Sequence, residues 1–256
     1  MKKRNKTKKI VIGILLVLVV LGILYTLFSY HYFDYNQNKE KMIEEKKAEW
    51  EVIKARYGGG RDIEFDKKTG LPTTINGKFY LGKGNITNNE RAREVADDFF
   101  RENKEFFGFE DNIKLEQIKE RIGRMPYYII SYKQYYKDIP VSNSQIRLVI
   151  TKEGEVISAN SNFYPNIRIG TIPKISINKL VSIVKTKYKT SSNSVFSNAS
   201  LVIFPLEVAN SYEYHLAWEI DVYSEESYKS ERYFIDALTG DIIYEEDLYI
   251  SSTFRI

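Results

Sequence analysis

The sequence predicts an α+β protein. It has an N-terminal transmembrane helix and a helical stalk, then two small domains, each a helix packed on an antiparallel sheet. Three observations lead there. Residues 10–30 carry no charge over 21 positions. Beyond them, YYIISYKQYY (127–136) and YEYHLAWEIDV (212–222) alternate with the period of a half-buried strand. In 87–107 and 176–188, apolar residues instead recur at helical spacing, giving one buried stripe each. The 20 tyrosines fit this picture, because aromatic side chains favour a pleated, half-buried surface.

Residues 1–9, MKKRNKTKK, form a basic tail with six cations and no acid. Ile10–Tyr30 follows; at about 1.5 Å per residue it makes a helix of about 31 Å, long enough to cross the hydrocarbon core of a bilayer. Tyr25, Phe28, Tyr30, Tyr32, Phe33 and Tyr35 gather at its far end as an interfacial belt does. The positive-inside rule then puts the tail in the cytoplasm and everything after the span outside. Bulky TLFSYHYF follows the apolar run where a signal peptide would have small residues, so the reading is an uncleaved anchor in the cell membrane. Residues 31–57 form the juxtamembrane stalk. Ile43, Trp50 and Tyr57 recur every seven residues there, with Ile53 beside them, which suits a helical spacer or a short dimer seam.

The first domain is expected over 58–168. Gly58–Gly60 ends the stalk, Ile63–Phe65 is a strand, and Lys67–Gly70 a turn. Thr87 is placed as the N-cap of a helix to Phe107, with Glu90 completing a capping box. Ala92, Val95, Ala96, Phe99 and Phe100 form its stripe, and Gly108 closes it. A meander follows: 113–118, 127–136, 145–151 and 155–159, with turns at Lys137-Asp138 and Lys152–Gly154. Tyr128, Ile130, Tyr132, Gln134 and Tyr136 share one face of its second strand.

The second domain is expected over 169–247. Ser176 caps a helix whose stripe is Ile177, Leu180, Val181, Val184 and Tyr188. Thr190–Ser200 reads as loop and 201–207 as a strand in which Pro205 signals an edge or bulge. In 212–222, Glu213, His215, Ala217, Glu219 and Asp221 form a wet face opposite the buried one. A hairpin around Leu238-Thr239-Gly240 closes the domain, and 248–256 is a tail.

Several chemistries are excluded. There is no cysteine, so thiolate catalysis, disulfides and Cys-ligated zinc are absent. Two histidines, His31 beside the span and His215 in a strand, cannot build a multi-imidazole site or a Ser-His-Asp set. Asp236 and Asp241 flank a glycine turn and read as turn residues rather than an acid–base pair. Outside the basic tail, 32 basic residues face 34 acidic ones, a net of −2, which suits nucleic acid poorly. The expectation is a non-enzyme without cofactor or metal.

GLPTTINGKFY, FFRENKEFFGF and above all YYIISYKQYYKDIPVSNSQIRLVITKEGEVISAN resemble the fungalysin/thermolysin propeptide domain. Gln134, Tyr136, Ile139-Pro140-Val141 and Gly154 hold the recurring positions of that pattern. HLAWEIDV and YFIDALTGDIIYEED resemble the PepSY domain that follows it in such propeptides. The resemblance implies two cystatin-like units, and a regulatory module that assists and inhibits a zinc metallopeptidase; no HExxH motif occurs before Ile256. It thus implies a protein partner, a secreted or membrane peptidase or another envelope enzyme, engaged in trans. The alternative is a membrane-tethered structural or signalling ectodomain whose partner is not a peptidase. Candidate partner contacts are Tyr132, Gln134 and Tyr136 on the tyrosine-rich strand, and Phe254 in the tail. The oligomeric state is left open.

Overall fold

The computed structural model describes residues 2–57, 59–82, 84–110, 113–118, 127–188, 194–196, 199–224 and 229–248. Helix α1 (Lys2–Tyr57) opens the chain, which divides into two compact units, Met1–Ala48 and Glu49–Ile256. In the first unit, Val17–Leu21, Ile23 and Leu24 are each 52–61% exposed, so no buried face shows among the described side chains of residues 17–26. Among the described residues no helix is long and apolar enough to cross a membrane. Of the predicted span, the side chains of 10–16, 27, 28 and 30 lie outside the described set.

The second unit begins in the last turns of α1. Trp50 and Ile53 are buried in its core; Trp50 stacks on Phe106 at 6.3 Å and meets Phe79 edge-on at 5.8 Å. The seven-residue spacing expected for a spacer or dimer seam is therefore, at Trp50 and Ile53, the stripe by which the helix docks on its own body. A heptad seam and a one-sided core stripe share the same periodicity, and sequence spacing alone does not separate them.

The first sheet contains β1 (Gly59–Phe65), β2 (Pro72–Leu81), β3 (Ile113–Ile118), β4 (Tyr127–Tyr136), β5 (Ile139–Pro140), β6 (Gln145–Thr151) and β7 (Glu155–Asn162). Its order is β1-β2-β7-β6-β4-β3, antiparallel throughout, with β5 hairpinned onto β4. Lys137 and Asp138 join β4 to β5 with positive φ at both residues, the mark of the primed two-residue turn that matches strand twist. Helix α2 (Asn89–Glu102) covers one face; Ala92, Val95, Ala96, Phe99 and Phe100 are buried beside Phe79, Tyr132, Leu148 and Ile150. The cap is Asn88, not Thr87: its side chain accepts the Arg91 N–H at 2.8 Å. Ile86 is buried and donates its N–H to Lys152, which keeps the chain from turning into the helix one residue sooner. The helix also stops at Glu102 instead of running to Phe107, its last amide bonds closing at Asn103, and Gly108 takes the left-handed conformation after a further turn.

The second sheet holds β8 (Ser194–Phe196), β9 (Ser200–Val208), β10 (Ser211–Ser224), β11 (Lys229–Asp236) and β12 (Ile242–Asp247). Its order is β12-β11-β10-β8, with β9 also on β10. Helix α3 (Ile177–Tyr188) buries Leu180 and Val184 against Ile220, Val222, Tyr233 and Ile235. Three expectations change here. Part of the predicted 190–200 loop is strand β8, which finds its partner only on the far end of β10. Ile177 is exposed, and Ile183 packs on the core in its place. The face of β10 expected to be wet buries Ala217 within an aromatic cluster, where Phe204 stacks on Phe234 at 4.2 Å. Phenylalanines on the neighbouring strands supply that cluster, and β10 read alone cannot show them.

Candidate functional site

The residues singled out on β4 converge on one structural task. Between β7 and α3, residues 163–176 run as a strap without sheet or helix bonding, so its carbonyls need other partners. Side chains supply them. Gln134 Nε2 donates to the Tyr164 carbonyl at 2.7 Å, and its Oε1 accepts the Tyr164 N–H at 3.0 Å. The Tyr136 hydroxyl donates to Ile169 O at 3.4 Å. From the second sheet, the Tyr214 hydroxyl reaches Pro165 O at 2.6 Å and the Trp218 indole reaches Ile175 O at 2.8 Å. Aromatic residues suit the work: each buries a ring and still carries a polar tip to the backbone.

The strap lies in a shared core. Tyr136 and Val141 from the first sheet pack with Ile167 of the strap and with Ile203, Leu216 and Ala237 of the second. Val141 bridges Ile203, and Ser142 N–H donates to Ile203 O at 2.8 Å. Pro205 lies two residues on, so strand alternation turns its nitrogen to the same outer side, where no amide donor exists. The edge expected from Pro205 is therefore real, and this graft of 141–142 is what occupies it. The domain boundary expected at 168/169 falls inside the strap.

Two turns repeat one sequence and one geometry. Asp66-Lys67-Lys68-Thr69-Gly70 joins β1 to β2, and Asp236-Ala237-Leu238-Thr239-Gly240 joins β11 to β12. In each, the Asp Oδ1 accepts the next two free amides, the Thr hydroxyl accepts the amide after the glycine, and the glycine has positive φ. The second Asp oxygen is taken by β10 both times: Tyr212 donates to Asp66 at 3.2 Å, and His215 Nδ1 lies 3.1 Å from Asp236. The D-x-x-T-G repeat was present in the sequence and marks β10 as the strand both turns grip. Burial and the nearby Asp66 carboxylate push the Tyr212 phenol up to about 12. Burial alone would raise the Asp236 carboxyl, yet the Leu238 and Thr239 amides and the His215 ring hold it below its ordinary value.

Each predicted contact residue can now be placed. Tyr132 is 4% exposed and donates to Asp97 of α2 at 2.6 Å; burial first, then that carboxylate, pushes its phenol far above the ordinary value. Gln134 is 0% exposed and Tyr136 is 2% exposed. Side chains this buried offer no surface, so the expected partner contact at these three gives way to holding helix and strap. Phe254 lies outside the described residues. His215, expected on the surface, is half-buried with its Nε2 enclosed. Asp236 accepts the Thr239 N–H and Asp241 accepts the Thr239 hydroxyl, both as turn residues.

Among the described residues no group of three or more His, Cys, Asp or Glu is arranged to hold a metal. The recess beside the Asp66 turn, bounded by Ser161, Tyr164 and Tyr212, measures about 30 Å³. A small-molecule site needs roughly 300 Å³ or more.

Residues 128–163 match the family model of the Fungalysin/Thermolysin Propeptide Motif. That is the stretch from β4 to the start of the strap, including Gln134 and Tyr136. Several solved structures are similar, these two among them. One is the Bacillus megaterium YpeB C-terminal domain, 17% identical, with a TM-score of 0.35 over 80% of this chain and 97% of that one. The other is described as a candidate lipoprotein from Clostridium difficile 630, 9% identical, with a TM-score of 0.24 over 61% of this chain and 91% of that one. No curated protein matches the chain.

Proposed function

We propose that the protein is a membrane-anchored, extracytoplasmic binding module of the propeptide kind, acting in trans on a peptidase or another cell-envelope enzyme. One observation carries it: the propeptide motif falls on β4–β7, where Gln134 of the matched stretch is tied by two hydrogen bonds to the strap backbone at Tyr164. Such a framework regulates by occupying or shaping a partner's surface rather than by chemistry. The PepSY-like likeness of the second sheet supports the same reading. The anchor is supported by the uncharged run 10–30 after six cations, and by its described part, apolar and exposed all round, which water does not tolerate but lipid does.

The test uses the full chain in its own envelope, with a photocrosslinking side chain at exposed Tyr127 on the outer face of β4. Capture of a peptidase whose activity changes when the purified chain is added supports the reading. Partners without hydrolytic activity, none of them altered by the chain, remove the peptidase from it. Protease added to intact cells should digest residues 49–256; their protection there would remove the topology.

A further inference from the structure

The two sheets contain the same unit. In the first, α2 is followed by the meander β3-β4-β6-β7; in the second, α3 is followed by the meander β9-β10-β11-β12. The last turn of each ends on a glycine of matching φ, +84° at Gly154 and +86° at Gly240. What differs is the outer side of the last strand. Strand β7 is covered by β2, which pairs with it from Thr74 to Leu81 and brings Lys78 onto Glu155. Strand β12 is the outermost strand of its sheet among the described residues.

The geometry points to β12 as a docking edge for a basic, extended segment of a partner protein, added antiparallel as β2 is added to β7. Backbone direction fits. Leu248 N–H donates inward to Ser230, so alternation turns the backbone groups of Asp247 away from β11. Charge sets the occupant. Glu231, Glu245, Glu246 and Asp247 border an open recess of about 220 Å³ at this edge. Arg232 is bonded to Asp221 at 2.6 and 2.9 Å and also lies 3.4 Å from Glu219 and 3.9 Å from Glu246, so one guanidinium is shared among several acids. A strand bearing lysine or arginine at alternate positions repeats there the pairing that Lys78 and Glu155 make on the other sheet. The surface stands whether or not the partner is a peptidase.

The probe is a decapeptide alternating lysine and valine, with a glutamate–valine peptide as control, added to the full chain in detergent. The lysine peptide should bind, lose affinity with salt, and slow deuterium exchange of the β12 amides; the glutamate peptide should do neither. Glu245→Pro should weaken binding at least tenfold by blocking strand addition. Should that variant fail to fold, the double variant Glu245→Lys/Asp247→Lys keeps the question open to test, because it should reverse the preference between the peptides. Protection of β12 in the free chain would mean that the chain covers its own edge. Binding without β12 protection would place the site elsewhere. No binding by either peptide would leave the acids as guards against edge-to-edge association. Each of these three outcomes overturns the proposal.

Discussion

Replacing Gln134 by leucine tests the strap directly. The side chain is wholly buried and makes two bonds to one peptide unit, Nε2 to Tyr164 O at 2.7 Å and Oε1 from Tyr164 N–H at 3.0 Å. Leucine keeps most of the volume, so the cavity contribution is small and the cost is electrostatic. Each backbone group left without a partner costs about 1–3 kcal/mol. Tyr164 is only half-buried, so water recovers part of this and the expected loss is about 2–4 kcal/mol. For a unit of this size that lowers Tm by roughly 4–16 °C, measurable by calorimetry on the full chain in detergent. Gln134→Glu separates bonding from packing. Its carboxylate still accepts the Tyr164 amide but faces the Tyr164 carbonyl. Burial against that carbonyl raises the folded-state pKa of the new glutamate above its unfolded value. The variant is then destabilised at neutral pH and recovers as pH falls through the folded pKa, where the protonated acid donates as the amide did. A leucine variant within about 1 kcal/mol of the parent, or a glutamate variant with no acid recovery, would refute the clamp.

Four further outcomes follow from the same geometry. Trp50→Ala should cost about 3–5 kcal/mol, read by urea unfolding, because the ring is buried between Phe79 and Phe106. A fragment starting at residue 58 lacks that ring and should refold less stably than one starting at 49. Asp236→Asn should flatten the acid limb of the stability–pH curve: the depressed carboxyl contributes stability above its unfolded pKa that is lost as pH falls through the folded one, and asparagine cannot titrate. Gly154→Ala should cost about 1–2 kcal/mol by thermal melt, since its φ is +84° and an added Cβ would sit 2.9 Å from the Gly84 carbonyl.

What the sequence made legible was periodic, and what it hid was partnership. The stripe of α2, the faces of β4 and both hairpin turns follow from spacing, because a buried face must repeat every two or every 3.6 residues. Trp50 obeys such a spacing too, but spacing names a face without naming what lies against it, and here the face lies on the chain's own core. From the sequence Gln134 and Tyr136 are candidate partner contacts, but both are buried, and buried polar groups must bond within the fold. Their partners are carbonyls of a strap about 30 residues further on, where no periodic pattern points. The same holds for Tyr214 and Trp218, whose alternation along β10 is plain but whose hydrogen bonds run to the strap carbonyls of Pro165 and Ile175. In this chain the matched stretch thus spends Gln134 and Tyr136 on holding the strap, and exposed residues outside that stretch, such as the acidic edge proposed on β12, are where a partner surface is to be sought.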